Sequence, residues 1–176
     1  LSASSWINAM AWSPSGTTLA YASHDSAIHF ADFSSGAAVV QTIKFAELPL
    51  RSLIFVAEKA IIGGGHDFNP SMYTHEGGAW KFKKKLDEKK ATSASAASGV
   101  AGARALFQNK TSRGQEGSKE GDTLWTQHEN AITDIQDASP AGSVGPLKKI
   151  STSALDGRLV IWDLSTIDIS LASLHL

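Results

Sequence analysis

Short runs of alternating apolar and polar residues recur along this chain, and turn-forming residues divide them. One group of runs occupies residues 7–32, a second occupies residues 50–74, and a third occupies residues 128–163. Pro, Ser, Gly or Asp-Gly lie between the runs. The two-residue period is that of a β-strand with one buried face, and the turn residues are typical of antiparallel hairpins. The pattern therefore predicts an all-β protein built from successive antiparallel meanders.

The spacing of equivalent residues predicts the size of each unit. Asp25 and Asp67 stand at equivalent points in the first two groups and are 42 residues apart. This is the period of about 40–45 residues expected for a four-stranded propeller blade. Asp156 is the equivalent residue of the third group, but it lies 89 residues after Asp67. Residues 88–127 explain the excess, because they are rich in Ala, Ser, Gly, Lys and Glu and have little β character.

The predicted fold is thus a partial β-propeller with a projecting, partly helical insert. We expect three blades at residues 6–46, 48–87 and 128–164, with the insert at residues 88–127 between the last two. Three blades do not close a ring, and a seven-bladed propeller takes roughly 300 residues at this period. We therefore expect the whole chain to be the C-terminal part of one propeller domain, with the missing blades before Leu1.

Composition excludes several classes of function. Lys and Arg total 16 against 17 Asp and Glu, so no global field draws the chain to nucleic acid or anionic lipid. The absence of cysteine excludes disulfide frameworks and thiolate metal sites. The apolar runs are far shorter than the roughly 20 residues that cross a bilayer. We expect no nucleic-acid partner, no membrane partner and no cofactor.

Two motifs have both a catalytic and a structural interpretation. His24-Asp25 and His66-Asp67 resemble the pairs of metal phosphohydrolases, but each closes a strand and repeats with the blade, which favours a structural turn. Gly63-Gly64-Gly65 has no Gly-Lys-Ser/Thr after it, which disfavours a phosphate loop. Tight packing or a bulge near the propeller axis is the favoured interpretation of these glycines.

A basic cluster and five tryptophans are the other conspicuous side chains. The favoured interpretation of the basic cluster is a solvated strand edge that resists pairing with another strand. The alternative is that its charge steers an acidic partner toward the chain. Trp12 and Trp162 are expected in the core, whereas the pattern does not decide whether Trp6, Trp80 and Trp125 are partly exposed. The lysines of the cluster are Lys81, Lys83, Lys84, Lys85, Lys89 and Lys90.

The third group resembles a WD repeat. Leu159-Val160-Ile161-Trp162-Asp163 follows Asp156-Gly157, and His128 stands where the histidine of the repeat start belongs, although Gln127 replaces the preceding glycine. In that family Asp, His, Ser or Thr, and Trp form a buried hydrogen-bonded relay within a blade. The resemblance implies a structural relay, whose members are His128, Thr152, Asp156 and Trp162. In the first two groups Ala31 and Tyr73 replace the tryptophan, so their relays are expected to be absent or altered.

Further segments resemble the WD-repeat subunit 1 family of the actin-related protein 2/3 complex, in order and spacing that match its C-terminal half. The insert is the discriminating segment, because it contains Arg-x-x-Phe-Gln-Asn between the last two blades. The segments are Ser13-Pro14-Ser15-Gly16, Ser23-His24-Asp25-Ser26, Leu48-Pro49-Leu50, Gly65-His66-Asp67 and Ala103-Arg104-Ala105-Leu106-Phe107-Gln108-Asn109.

This resemblance implies a non-catalytic function in the cytoplasmic actin cytoskeleton. The complex nucleates a new actin filament on the side of an existing one, and its propeller subunit belongs to the scaffold. The partners implied are actin, the actin-related proteins and other subunits, and nucleation-promoting factors. The insert departs from the family, because residues 92–98 are rich in Ala and Ser and residues 104–106 carry less charge than in relatives. A generic WD-repeat adaptor of another assembly is the competing interpretation.

The insert holds the predicted contact residues. Residues 100–110 predict about three helical turns, with Val100, Leu106 and Phe107 near one apolar stripe and Arg104 beside it. Such a helix is marginally stable alone, and docking in a partner's groove would bury its stripe. The alternative is a surface loop whose Phe107 folds back onto the propeller. The resemblance favours the partner contact.

Overall fold

The computed structural model describes residues 1–88 and 126–166, which form three antiparallel sheets. In each sheet, consecutive strands are neighbours, so each is a meander. The first sheet contains β1 (Ile7–Trp12), β2 (Thr18–Ser23), β3 (Ala27–Asp32) and β4 (Val39–Lys44). The second contains β5 (Leu50–Ala57), β6 (Ala60–Gly65), β7 (Ser71–Glu76) and β8 (Ala79–Lys85). The third contains β9 (Ile132–Asp137), β10 (Lys149–Ala154) and β11 (Leu159–Asp163), followed by a 3-10 turn at Leu164–Thr166.

The predicted all-β propeller architecture is confirmed by these sheets. The insert residues Val100, Arg104, Leu106 and Phe107 lie outside the described residues, so the predicted partly helical insert remains a prediction. The chain divides into two units, one of residues 1–87 with 126–176 and the other of residues 88–125. All three sheets belong to the first unit. None of the helices in the described part of the chain has the length and apolar character to cross a membrane.

Local turn chemistry fixes the strand register. Gly77 and Gly78 form the two-residue loop between β7 and β8, with φ of 62° and 80°. Positive φ at both central positions gives the turn the twist that a two-residue hairpin requires, and glycine adopts it without strain. The loop pairs Glu76 with Ala79, and this pairing sets which face of each strand is buried.

Two apolar cores lie between the sheets. The middle sheet buries side chains on both faces, because successive residues of a strand point in opposite directions. On β5, Leu53 and Phe55 join the core shared with the first sheet, whereas Ile54 and Val56 join the core shared with the third. Ile28 and Phe30 are the large side chains that the first sheet contributes. The third sheet contributes Ile132, Ile135, Ile150 and Trp162.

The three glycines of β6 allow close packing around them. A β-carbon on Gly63 would lie 2.7 Å from Leu50 Cδ1, and one on Gly64 would lie 2.9 Å from Ile132 Cγ2. A β-carbon on Gly65 would collide with the carbonyl oxygen of Pro49. The structure therefore favours the packing interpretation of this segment, because no position leaves room for a larger side chain.

The prediction that Trp12 lies in the core is wrong. Its side chain is 50% exposed and packs beside Phe33, with ring centroids 5.7 Å apart. Ala9 and Ala11 of the same strand pack toward the second sheet, so the alternation of β1 directs Trp12 to the opposite face. The pattern identified the strand but not which of its faces is covered.

Trp80 is buried, with 7% of its surface exposed. It stacks on Phe30 with ring centroids 4.1 Å apart and lies edge-on to Phe55. Trp162 is equally buried, as expected for a core residue, whereas Trp6 is 77% exposed. Trp125 lies outside the described residues. The tryptophans thus serve in both cores and also on the surface.

Candidate functional site

The structure brings the four predicted relay residues together in the third sheet. His128 Nε2 lies 2.7 Å from Thr152 Oγ1, and its Nδ1 lies 3.2 Å from Asp156 Oδ2. Trp162 Nε1 donates to the same Thr152 oxygen at 2.8 Å. Since a carboxylate only accepts, His128 donates from Nδ1, and Thr152 then donates its hydroxyl proton to Nε2. Every polar atom of the network is satisfied, which is the condition under which a buried network stabilises a fold.

Backbone groups complete the environment of Asp156. The backbone N–H groups of Glu129 and Arg158 each donate to its carboxylate at 2.8 Å. Burial raises the pKa of Asp156, but these two hydrogen bonds and the one from His128 outweigh it and hold the pKa below its ordinary value. The carboxylate therefore stays ionised and ties the loop before β9 to the turn between β10 and β11.

The first sheet contains an altered relay, whose histidine the motif reasoning did not identify. Ser23 Oγ donates to Asp25 and lies 3.1 Å from His29 Nε2, while His29 Nδ1 lies 2.8 Å from Thr42 Oγ1. Tyr21 stacks on the His29 ring at 4.7 Å. Here the histidine comes from β3 and not from the loop before the sheet, so the repeat spacing does not predict it. The available signal was one polar residue in the otherwise apolar run Ala27-Ile28-His29-Phe30-Ala31.

The second sheet has aromatic packing where a relay tryptophan would stand. Tyr73 is 2% exposed and contacts Phe45 and Phe82. Burial, together with the nearby carboxylates of Glu47 and Asp67, raises the pKa of Tyr73 far above its ordinary value. Its hydroxyl therefore stays protonated at physiological pH, and its ring contributes to the core.

Lysines of β8, the last strand of the second sheet, form ion pairs with nearby acidic residues. Lys83 Nζ lies 3.0 Å from Glu76 Oε1. Lys85 Nζ lies 3.9 Å from both Glu47 Oε1 and Asp67 Oδ2. Pairs of this kind hold charged side chains along a sheet edge, where they disfavour pairing with another chain. Lys89 and Lys90 lie outside the described residues.

Both His-Asp pairs lie in turns between strands. His24-Asp25 follows β2, and His66-Asp67 follows β6. Asp25 accepts from Ser4 and Ser23 hydroxyls, which is the bonding of a structural turn. In residues 1–88 and 126–166, no three His, Cys, Asp or Glu side chains are grouped to hold a metal ion.

Hydrogen bonds join the two points between which the insert runs. The backbone N–H of Gln127 donates to Asp87 Oδ2 at 2.5 Å. Asn69 holds Asp87 by two further bonds, of 2.9 and 3.0 Å, to the backbone of that residue. Arg158 Nη1 donates to the Gln127 carbonyl at 3.0 Å. The residue at which the chain leaves the second sheet, Asp87, is therefore held beside Gln127, which immediately precedes the relay residue His128.

Comparison with known proteins shows which proteins this chain is similar to. Residues 1–32 and 121–163 match the family described as WD domain, G-beta repeat. The chain is 36% identical over 167 residues to actin-related protein 2/3 complex subunit 1A of Arabidopsis thaliana, a match that covers 93% of this chain and 44% of the relative. This chain is similar to subunit 1 of the actin-related protein 2/3 complex. The predicted family resemblance is therefore confirmed.

Other relatives of subunit 1 give the same result. Subunit 1A-B of Xenopus laevis is 34% identical, with 96% of this chain and 44% of the relative covered. Subunit 1 of Schizosaccharomyces pombe is 30% identical, with 90% and 45% covered. The chain thus spans less than half the length of these subunit 1 relatives. A chain in the crystal structure of the mitotic checkpoint complex superposes with a TM-score of 0.53 at 18% identity, covering 89% of this chain and 36% of that one, and supports the fold alone.

Proposed function

We propose that this chain is a non-catalytic scaffold and actin-contacting part of an actin-related protein 2/3 complex, where it supports nucleation of branched actin filaments. The similarity to subunit 1 proteins along more than nine-tenths of the chain carries this proposal. Those relatives are named for the complex. The proposed partners are actin, the actin-related proteins and other subunits, and nucleation-promoting factors, in the cytoplasmic actin cytoskeleton.

The interior of the sheets suits a scaffold. Every buried side-chain nitrogen or oxygen among the described residues has a hydrogen-bond partner. Two close-packed cores and satisfied polar networks hold a backbone rigid, because any displacement leaves polar groups unpaired. A rigid platform keeps its surface groups in place for binding, which reduces the entropy lost when partners associate.

The insert is the proposed actin-side contact. We assign residues 88–127 as an appendage between blades at 48–87 and 128–164, with Val100, Arg104, Leu106 and Phe107 as its contact residues. The hydrogen bond between Asp87 and Gln127 supports this assignment, since it joins the residue before the insert to the last residue of the insert. An apolar helical stripe would dock in a groove with Phe107 as the anchor.

Depletion of the protein tests the proposed function. Immunodepletion of the endogenous protein from an extract of its source cells should abolish actin branching, as counted by fluorescence microscopy of filaments. Addition of the purified complex that carries the protein should restore branching. Unchanged branching after complete depletion would show that the protein is an adaptor of some other assembly.

A further inference from the structure

A cleft lies where the three sheets meet. Its volume is about 310 Å³. Asn8 of β1, Arg51 of β5 and Thr133 of β9 each lie near the start of the first strand of a sheet. The cleft is lined by Trp6, Asn8, His24, Arg51, His66 and Thr133. Side chains from all three sheets therefore converge on one space.

Arg51 supplies the fixed charge of this cleft. Its side chain is exposed, and no hydrogen bond or ion pair joins its guanidinium to any residue in the ranges 1–88 and 126–166. Arg158, by contrast, is paired with Glu129 at 2.8 Å. A guanidinium carries five N–H donors in a planar fork that matches two oxygens of a carboxylate or phosphate. The fork of Arg51 is available to such a ligand.

His24 and His66 add ring N–H groups that can donate hydrogen bonds. Asn8 Nδ2 lies 3.3 Å from His24 Nδ1 and 3.1 Å from the Leu50 carbonyl oxygen. Because an amide NH₂ group only donates, Nδ1 accepts and the ring proton of His24 resides on Nε2. Trp6 packs against the His24 ring at 5.5 Å and limits its rotation. His66 also lines the cleft, and no hydrogen bond of its ring is found within the described residues.

The neighbouring aspartates already have other partners. Asp25 accepts from Ser4 and Ser23, and Asp67 lies 3.9 Å from Lys85. Asp134 accepts from the Ser52 hydroxyl, the Ile135 backbone and the Gln136 amide at 3.2, 2.9 and 2.8 Å. None of these three aspartates pairs with the Arg51 guanidinium or with the ring of His66.

We propose that this cleft binds an oxyanionic group, a phosphate or a carboxylate, with Arg51 as the principal ligand and His24 and His66 as further donors. The guanidinium forms a two-point pair with the anion, and the Nε2–H of His24 donates to a remaining oxygen. The exposed Trp6 at the margin offers apolar contact to whatever group carries the anion. The site does not depend on the insert or on membership of an actin-related complex.

Titration of the purified protein tests this site. Inorganic phosphate and, separately, acetate are added at constant ionic strength, and NMR follows the ring C–H resonances of His24 and His66. We expect a saturable shift of both rings with at least one anion. Tighter binding of phosphate would assign the natural ligand to the phosphate class, and tighter binding of acetate would assign it to the carboxylate class.

Matched variants separate a built site from general charge attraction. Arg51→Gln should weaken anion binding about tenfold, the usual effect of losing one charge-assisted pair. Arg51→Lys should weaken it less, because the charge stays while the fork is lost. Lys59→Gln removes an equal charge just beyond the far end of the same strand, about 25 Å away along β5, and should leave binding within about twofold.

Two results would overturn the proposal. One is a pair of shifts that rise linearly without saturation for both anions. The other is equal weakening in Arg51→Gln and Lys59→Gln, which would indicate only screening by the overall charge. Thermal melting of each variant confirms that the fold is retained, which is expected because the Arg51 side chain is exposed.

Discussion

Thr152 is the residue on which the relay of the third sheet depends. Its hydroxyl accepts from Trp162 and bonds to His128, and the side chain is 1% exposed. Both neighbours are buried, so water does not replace a lost bond at either one. The cost of removing this oxygen is therefore the desolvation cost of two unpaired groups.

We predict that Thr152→Val lowers the unfolding free energy by about 2–4 kcal/mol, since it leaves two buried polar groups without partners. Urea denaturation followed by tryptophan fluorescence measures the change. Thr18→Val is the matched control on a half-buried position of β2, and it should cost less than about 0.5 kcal/mol. Equal effects in the two variants would contradict a stabilising role for the relay.

His29 predicts a dependence of stability on pH. Burial lowers its pKa below the ordinary value of 6.5, and the repulsion of Lys44 adds to this while Asp25 opposes it. The unfolded state thus takes up a proton first as pH falls, so the stability that the neutral ring supports above pH 6.5 is lost as pH drops through that value toward the folded-state pKa. Denaturation between about pH 7.5 and about pH 5.5 measures this slope. His29→Gln should flatten the slope, and an unchanged slope would contradict the assignment.

Sequence reasoning about single residues succeeded where a motif fixes the spacing. The resemblance to a WD repeat implies His128, Thr152, Asp156 and Trp162, and the structure places them within hydrogen-bond distance. His29 has no such spacing, because a strand residue reaches Ser23 and Thr42 only through the pairing of β2, β3 and β4. Trp12 shows the same limit, since its exposure depends on what covers the sheet.

Among the strands, β6 shows how closely the sheets approach one another. A β-carbon at Gly64 would lie 2.9 Å from Ile132 Cγ2 and 3.1 Å from Ile135 Cδ1. Both atoms belong to β9 of the third sheet. The second and third sheets therefore lie so close together at this point that only a glycine fits at position 64.

We predict that Gly64→Ala destabilises the fold by about 1–3 kcal/mol, the usual cost of overpacking a filled core. Gly64→Val should cost more, because two further methyl groups enter the same space. Thermal and urea unfolding measure the series. Stability that is unchanged in Gly64→Ala would show that the second and third sheets separate easily enough to admit a methyl group.

The insert leads to a prediction about binding. Phe107→Ala should weaken binding on the actin side while unfolding is unchanged, because an anchor on an appendage contributes little to the sheets. Co-sedimentation of the assembled complex with actin filaments measures the binding. Phe82→Ala removes a half-exposed ring from β8 and serves as the control. Unchanged binding, or an unfolded Phe107→Ala variant, would contradict the anchor role.

Strands were predictable here because their signal is local. Alternation over a few residues marks the runs at residues 7–32, 50–74 and 128–163, which correspond to β1 to β3, β5 to β7 and β9 to β11. Hydrogen bonds between sheets have no local signal in the sequence. Glu58 accepts from the backbone and hydroxyl of Ser15 at 3.0 and 2.6 Å, across 43 residues of sequence. Only the paired arrangement of the sheets brings such residues together.

Across the molecule as a whole, the outer faces of the first and third sheets carry exposed apolar side chains. Met10 and Trp12 are 68% and 50% exposed on β1, and Leu159 and Ile161 are 68% and 56% exposed on β11. Their strand neighbours face the cores, so alternation places these four outward. Apolar sheet faces of this kind are normally covered by another element.

We predict that this 176-residue chain, expressed alone, self-associates as its concentration rises, because association buries these faces. Sedimentation velocity measures the effect. The double variant Met10→Lys and Ile161→Lys should shift the chain toward monomer, since a charge on each face is costly to bury. Val144→Lys, at a position that is 94% exposed, is the control. A wild-type chain that stays monomeric throughout would contradict this prediction.

Affinity capture decides whether the protein belongs to the proposed complex. The endogenous protein that carries this sequence is tagged and isolated from cell extract under mild salt, and its companions are quantified by mass spectrometry. We expect actin-related proteins 2 and 3 to be recovered in amounts equal to the tagged protein. Recovery of a different stable assembly without either of them would contradict the proposed function.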